Sequence, residues 1–190
     1  MPHILQYGIT HISSPNYNPN YKSIGDVGLI NNRSSFVLPN SKILGDYRPF
    51  YFWGRMPMLY VIQNGHNGVK TIRPENIVYC VSNAALVIEH KLNYIFSNGH
   101  AVDSFTEFFE PSDVEEIENI VDFPAVKAQY WKKEGDLDLK RRKEAEFLIE
   151  EDIPLSAIGI FIVYNEVAKQ HLFQIGIDQR MVKVNNSFYF

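Results

Sequence analysis

The chain has 190 residues, 45% of them hydrophobic and 21% charged, with 18 Lys and Arg against 22 Asp and Glu for a net charge of −4. That balance places it among ordinary folded proteins of single-domain size and argues against a nucleic-acid coat protein, which works through a large basic surface. A single cysteine, Cys80, rules out an intrachain disulfide and every multi-cysteine zinc pattern, and no apolar run reaches membrane-spanning length.

In chain order, Pro2 to Tyr7 is expected as a short helix stopped by Gly8. Residues 10–23 carry turn chemistry in Ser13-Ser14-Pro15-Asn16 and Asn18-Pro19-Asn20, and read as a long ordered loop around a site, anchored by Tyr17, Tyr21 and Ile24. Gly25-Asp26-Val27-Gly28 offers Gly-x-x-Gly only, too little for a dinucleotide fingerprint. Asp46 to Tyr60 then gathers a dense run of aromatics around Arg48 and Arg55. A core strand would not usually carry those arginines, nor a surface loop that many rings. The composition suits a face that stacks flat rings while neutralising phosphates.

Pro57 starts a short helix over Met58 to Gln63, and Ile77 to Val81 reads as a strand with Cys80 buried and inert. A helix over Asn83 to Glu89 and a strand over Tyr94 to Phe96 follow, the latter entering Asn98-Gly99-His100. Ser112 to Ile120 reads as an acidic surface helix capped by Ser112. The tetrabasic segment Lys140 to Lys143 reads as a loop feeding a strand over Ala145 to Ile149. A strand over Ile158 to Tyr164, a helix over Glu166 to Ile175, and closing strands over Met181 to Val184 and Phe188 to Phe190 complete the chain. Several strands with long irregular loops and few, short helices predict an α+β fold in one domain, 1–190.

Glu146 is the leading catalytic candidate. It opens an apolar strand directly after four basic residues, a position from which a carboxylate can face a cleft. The bland alternative is a half-exposed edge residue paired with Arg142 or Lys143. Arg55, between Gly54 and Met56-Pro57, sits on a short restrained backbone where it can clamp a phosphate or orient a base, or simply pack across neighbouring rings. Arg48 invites the same two readings, and His100 either lines a groove or is structural. The histidines show no metal-ligand spacing, so no metal is expected.

Pro2-His3-Ile4-Leu5-Gln6-Tyr7-Gly8-Ile9, Tyr21-Lys22-Ser23-Ile24-Gly25, Gly45-Asp46-Tyr47-Arg48-Pro49-Phe50-Tyr51-Phe52, Met56-Pro57-Met58-Leu59, Ser97-Asn98-Gly99-His100-Ala101, Ala145-Glu146-Phe147-Leu148 and Phe188-Tyr189-Phe190 follow one another in an order that resembles the DarT family of toxins. Members of that family attach ADP-ribose from NAD to bases of single-stranded DNA and are countered by a macrodomain antitoxin, DarG. The resemblance implies an ADP-ribosyltransferase-like split, mixed β core. It makes Glu146 the catalytic glutamate and Arg55 the arginine beside the nicotinamide end and target base. It sets Asn20, Ser23, Gly25 and Tyr51 around NAD as co-substrate. It sends the DNA past Arg48, His100, Lys140, Arg141, Arg142 and Lys143. Thymine is the expected base, with guanine as the alternative.

The partners implied are single-stranded DNA and a DarG-like antitoxin, with no membrane, for a monomer in the cytoplasm. One departure stands out. The family's first, His-containing strand, whose histidine and neighbouring threonine hold the NAD ribose, has no counterpart ahead of Pro2, so weak NAD binding is expected of these 190 residues. A non-catalytic DNA-binding protein or an inactive form is the rival reading.

Overall fold

A computed structural model describes residues 1–190. In chain order the elements are α1 (Pro2–Tyr7), α2 (Val27–Ser35), β1 (Arg48–Tyr51), α3 (Pro57–Asn64), β2 (Tyr79–Val81), α4 (Ala84–Glu89) and β3 (Tyr94–Ser97). There follow β4 (Phe108–Phe109), α5 (Ile117–Ile120), α6 (Phe123–Lys127), α7 (Leu139–Lys143), β5 (Glu146–Ile149), β6 (Ile160–Val163), α8 (Glu166–Gln174) and β7 (Val182–Val184). Two open sheets with short helices and long connections make this an α+β fold, as expected. The contacts divide the chain into two compact units, each built from separated stretches: Met1–Ile24 with Tyr60–Leu92 and Glu151–Phe190, and Gly25–Leu59 with Asn93–Glu150.

The first unit holds the mixed sheet β2-β6-β7, in which β2 runs antiparallel and β7 parallel to β6. Its core gathers Ile158, Phe161, Val163 and Val182 with Ala168 and Leu172 of α8, whose N-terminus is capped by the Asn165 side chain. Helix α1 has Pro2 at its first position and stops at Gly8, whose φ of 76° is left-handed. A side chain there would also strike Ile153 O, at 2.0 Å from a Cβ, where Ile9 and Ile153 exchange two backbone hydrogen bonds. Residues 10–23 form no helix or strand, and Asp152 ties the loop down by accepting from the His11 N–H and the Ser14 hydroxyl. The strand expected at 188–190 is not formed. Asn186–Phe188 is a 3-10 turn, and Tyr189 is buried with its hydroxyl 3.0 Å from both Ile77 O and Ile162 O. Satisfying that phenol fixes the segment in place of a ladder.

The second unit holds the antiparallel sheet β1-β5-β3-β4. Strand β5 is flanked on both sides, and all four of its residues are buried. Three expectations are corrected here. Arg48 to Tyr51, read as part of a stacking strip, is an edge strand: Pro49 lacks an N–H and is exposed there, while Arg48 is only 8% exposed. The basic segment is helix α7, not a loop, and it packs beside α6. The acidic stretch starts as a 3-10 turn over Pro111–Glu116, and Ser112 is inside it. Pro111 occupies the first turn, and the Glu110 N–H donates to Asp113 instead.

Candidate active site

Glu146 is fully buried at the start of the central strand. Its N–H donates to Ser97 Oγ at 3.1 Å, and that hydroxyl donates in turn to Gly99 O at 2.7 Å, pinning the turn that follows β3. The turn then returns a donor: the Ala101 N–H reaches Glu146 Oε1 at 3.1 Å. On the other side Arg33 Nη1 meets Oε2 at 2.8 Å. A buried carboxylate with two such donors is held in one position. Tyr51 lies directly opposite Glu146 in the β1–β5 register. Burial, and then the charges of Glu146 and Glu144, push its phenol pKa well up, so it is neutral at any physiological pH.

Arg33 was not singled out by the sequence reading. It rides on α2, a helix with no buried residue and no apolar stripe to announce it. The helix forms because Asp26 caps it, accepting from the Gly28 and Leu29 N–H groups. Its last turn is seated by Gly45. A Cβ at Gly45 would lie 2.9 Å from Ser34 Cα, so only glycine lets the 44–46 turn approach this closely. Arg33 Nη2 is buried and makes no hydrogen bond. This is a donor set beside the carboxylate and committed to nothing in the chain.

A cavity of ≈ 400 Å³ is lined by His100 and Asp103 of the turn, exposed Phe105, and Leu137, Asp138, Lys140, Arg141 and Glu144 around the start of α7. Arg141 crosses it, gripping Asp138 with a two-pronged fork at 2.6 and 2.8 Å and reaching Asn98 Oδ1 at 3.2 Å. Gly99 makes room for that side chain, since a Cβ there would fall 2.3 Å from Arg141 Nη1. Glu144 is 6% exposed, and burial raises its carboxyl pKa against the opposing pull of His100 and Lys140.

These contacts revise the basic patch. Lys143 is buried, donating to Val126 O at 2.9 Å and Ala128 O at 2.7 Å, and burial with the Arg55 charge brings its pKa down to about 8. It closes the end of α6 and cannot meet a phosphate. Arg142 is taken up by Asp122, Asp136 and Asp138, and Arg141 by Asp138. Buried Arg48 likewise has little surface to offer DNA. Lys140 stays exposed, with a loose 3.7 Å pair to Glu144, and His100 lines the cavity. The reason is local: the aspartates at 122, 136 and 138 neutralise the arginines before solvent does.

Gly25 lies immediately before the Asp26 cap of α2, and Tyr51 beside Glu146. Asn20 and Ser23 are exposed at the end of the 10–23 loop, in the other unit. Arg55 adopts a left-handed φ of 53° in the turn after β1. No three His, Cys, Asp or Glu side chains are grouped to hold a metal ion, and no helix is long and apolar enough to cross a membrane.

Set against known proteins, the whole chain, residues 1–190, matches the family described as "ssDNA thymidine ADP-ribosyltransferase, DarT". It is 31% identical over its full length to a DNA ADP-ribosyl transferase of Escherichia coli O127:H6, covering 88% of that protein. A DNA ADP-ribosyl transferase of Thermus sp. strain 2.9 is 32% identical over 90% of the chain and 80% of its own length. Over 88% of its length the chain is 26% identical to a DNA ADP-ribosyl transferase–DNA ADP-ribosyl glycohydrolase fusion protein of Thermosipho africanus, of which it covers 41%. Among solved structures, Thermus sp. 2.9 DarT in complex with ADP-ribosylated ssDNA superposes with a TM-score of 0.84 at 28% identity, over 100% of this chain and 90% of that one. The same protein in complex with NAD+ gives 0.79 at 29% identity, over 100% and 91%.

Proposed function

The chain belongs to the DarT family, and from that premise we propose that Glu146 and Arg33 form the reacting centre of an enzyme that transfers ADP-ribose from NAD to a base of single-stranded DNA. The observation that carries the assignment is the enclosed carboxylate held between the Ala101 N–H and Arg33, with Arg33 Nη2 left without an acceptor.

NAD, the substrate, supplies the ADP-ribosyl group and a good leaving group whose departure builds positive charge on the ribose. Glu146 is suited to that charge. It is enclosed and fixed in position, and a carboxylate so placed stabilises a developing cation without reorganising. Two donors leave its oxygens further lone pairs for a ribose hydroxyl. Arg33 Nη2 offers an N–H to an oxygen of NAD or of the acceptor base. A guanidinium stays protonated and takes no proton itself, so the proton that the base nitrogen gives up passes to solvent, and Arg33 favours the deprotonated base that remains. We assign this orienting role to Arg33 ahead of Arg55, because Arg33 is seen on the carboxylate. Asn20, Ser23, Gly25 and Tyr51 are proposed to flank the dinucleotide. Single-stranded substrate spares the cost of opening a duplex.

Thymine is the proposed acceptor, in keeping with the family description. The fused glycohydrolase of the Thermosipho relative supports a DarG-like macrodomain antitoxin as the partner of a monomeric toxin that works where the cell keeps its DNA. The test is direct. Incubated with NAD and oligonucleotides that differ in one base, the protein should add ADP-ribose only where a thymine is present, read as a mass increase on the DNA. Modification of a thymine-free, guanine-containing strand would move the assignment to guanine, and no product on any strand would sink the transferase reading.

A further inference from the structure

We propose that the cavity lined by His100, Phe105 and Glu144 seats one base of the DNA strand, stacked on Phe105 and backed by Leu137, and so selects which nucleotide neighbours the acceptor. The proposal rests on the transferase reading and adds to it a residue and a subsite. Phe105 is 80% exposed and Leu137 fully exposed, both at the rim of this cavity. Large apolar side chains held out in water contribute nothing to the core, and a ring presented over a polar recess is a platform for another flat ring. The turn that carries it is tied by hydrogen bonds. The Phe105 N–H donates to Asp103 Oδ1 at 3.0 Å, and the Thr106 hydroxyl to His100 O at 2.8 Å. The same turn continues into Ala101, which holds Glu146, so a base on Phe105 and the reacting carboxylate share one framework.

The charges favour a base over a phosphate. Of the two lysine and arginine side chains lining the recess, Arg141 is already paired with Asp138 and Lys140 loosely with Glu144, and Asp103 adds a further carboxylate. An anion would meet repulsion there, whereas a base offers N–H edges that carboxylates accept. The adenine of NAD shares that chemistry. We commit to a DNA base because both rim side chains face solvent, where a passing strand can insert a base and leave its phosphates in water.

The experiment measures affinity for a fluorescent single-stranded oligonucleotide across a salt series, in wild type and in Phe105→Ala and Phe105→Trp. Base–aromatic stacking predicts about a five- to hundredfold weakening for Ala, recovery for Trp, and an unchanged salt slope because no phosphate contact is lost. An abasic site scanned along the strand should reproduce the Ala loss at one position only, with no further loss in Phe105→Ala. The side chain is exposed, so the fold should not be at risk. Equal DNA affinity in Phe105→Ala, or weaker binding of NAD in place of DNA, would overturn the proposal. Binding is read without turnover, so a wild type that binds but does not transfer would count against the transferase reading alone.

Discussion

Replacing Glu146 by Gln is expected to lower transfer to DNA by about 10²–10³-fold, the scale seen when one preorganised stabilising group is removed. The substitution keeps the shape of the side chain but removes the charge that faces the developing ribose cation. It also places an amide against two donors, Ala101 N and Arg33 Nη1, of which its single oxygen can satisfy only one well. Some stability is lost too. Arg33 retains 16% of its side-chain exposure and can swing toward water, so the loss should stay below the roughly 3–5 kcal/mol of breaking an enclosed pair. NAD and DNA binding should survive largely intact. Single-turnover rates at saturating NAD, with a melting curve as control, check this: near-wild-type chemistry in a folded Glu146→Gln protein would remove the residue from the mechanism.

Arg33→Ala tests the same centre from the other side. The carboxylate would keep the Ala101 N–H but lose its cation, a charged hydrogen bond worth about 1.5–3 kcal/mol. The expected result is a lower melting temperature and a slower single-turnover rate at saturating NAD. Arg33→Lys keeps the charge but not the fork, and should recover stability more fully than the rate. Wild-type rates in a folded Arg33→Ala protein would remove Arg33 from the centre.

Much of this centre was legible in the residues. Glu146 announced itself as a charge opening an otherwise apolar run, and the helix expected over Pro2 to Tyr7 formed and stopped at Gly8 as read. What stayed hidden lacked a pattern. Helix α2 has no apolar stripe, so nothing in its residues placed Arg33 against a strand 113 positions away. The basic run misled for the opposite reason. Four adjacent cations looked like a surface patch, but Asp122, Asp136 and Asp138, scattered across 17 residues, had already claimed two of them, and two backbone carbonyls a third. The aromatic strip misled because Arg48 is buried in a strand edge, where Pro49 permits pairing on one side only.

The two ends of the Arg33–Glu146 pair belong to elements of very different local stability. Strand β5 is paired on both sides and wholly buried, so its amides should exchange with solvent only when the whole unit opens. Helix α2 has no fully buried residue, and its amides should exchange through more frequent fraying. The carboxylate is thus a fixed post and the guanidinium a visitor. The fraction of time that α2 is formed would then set how often the centre is complete, and a ligand that orders the helix would raise that fraction by mass action. Amide exchange on α2, measured with and without NAD, would register substrate engagement at a distance from every atom that reacts.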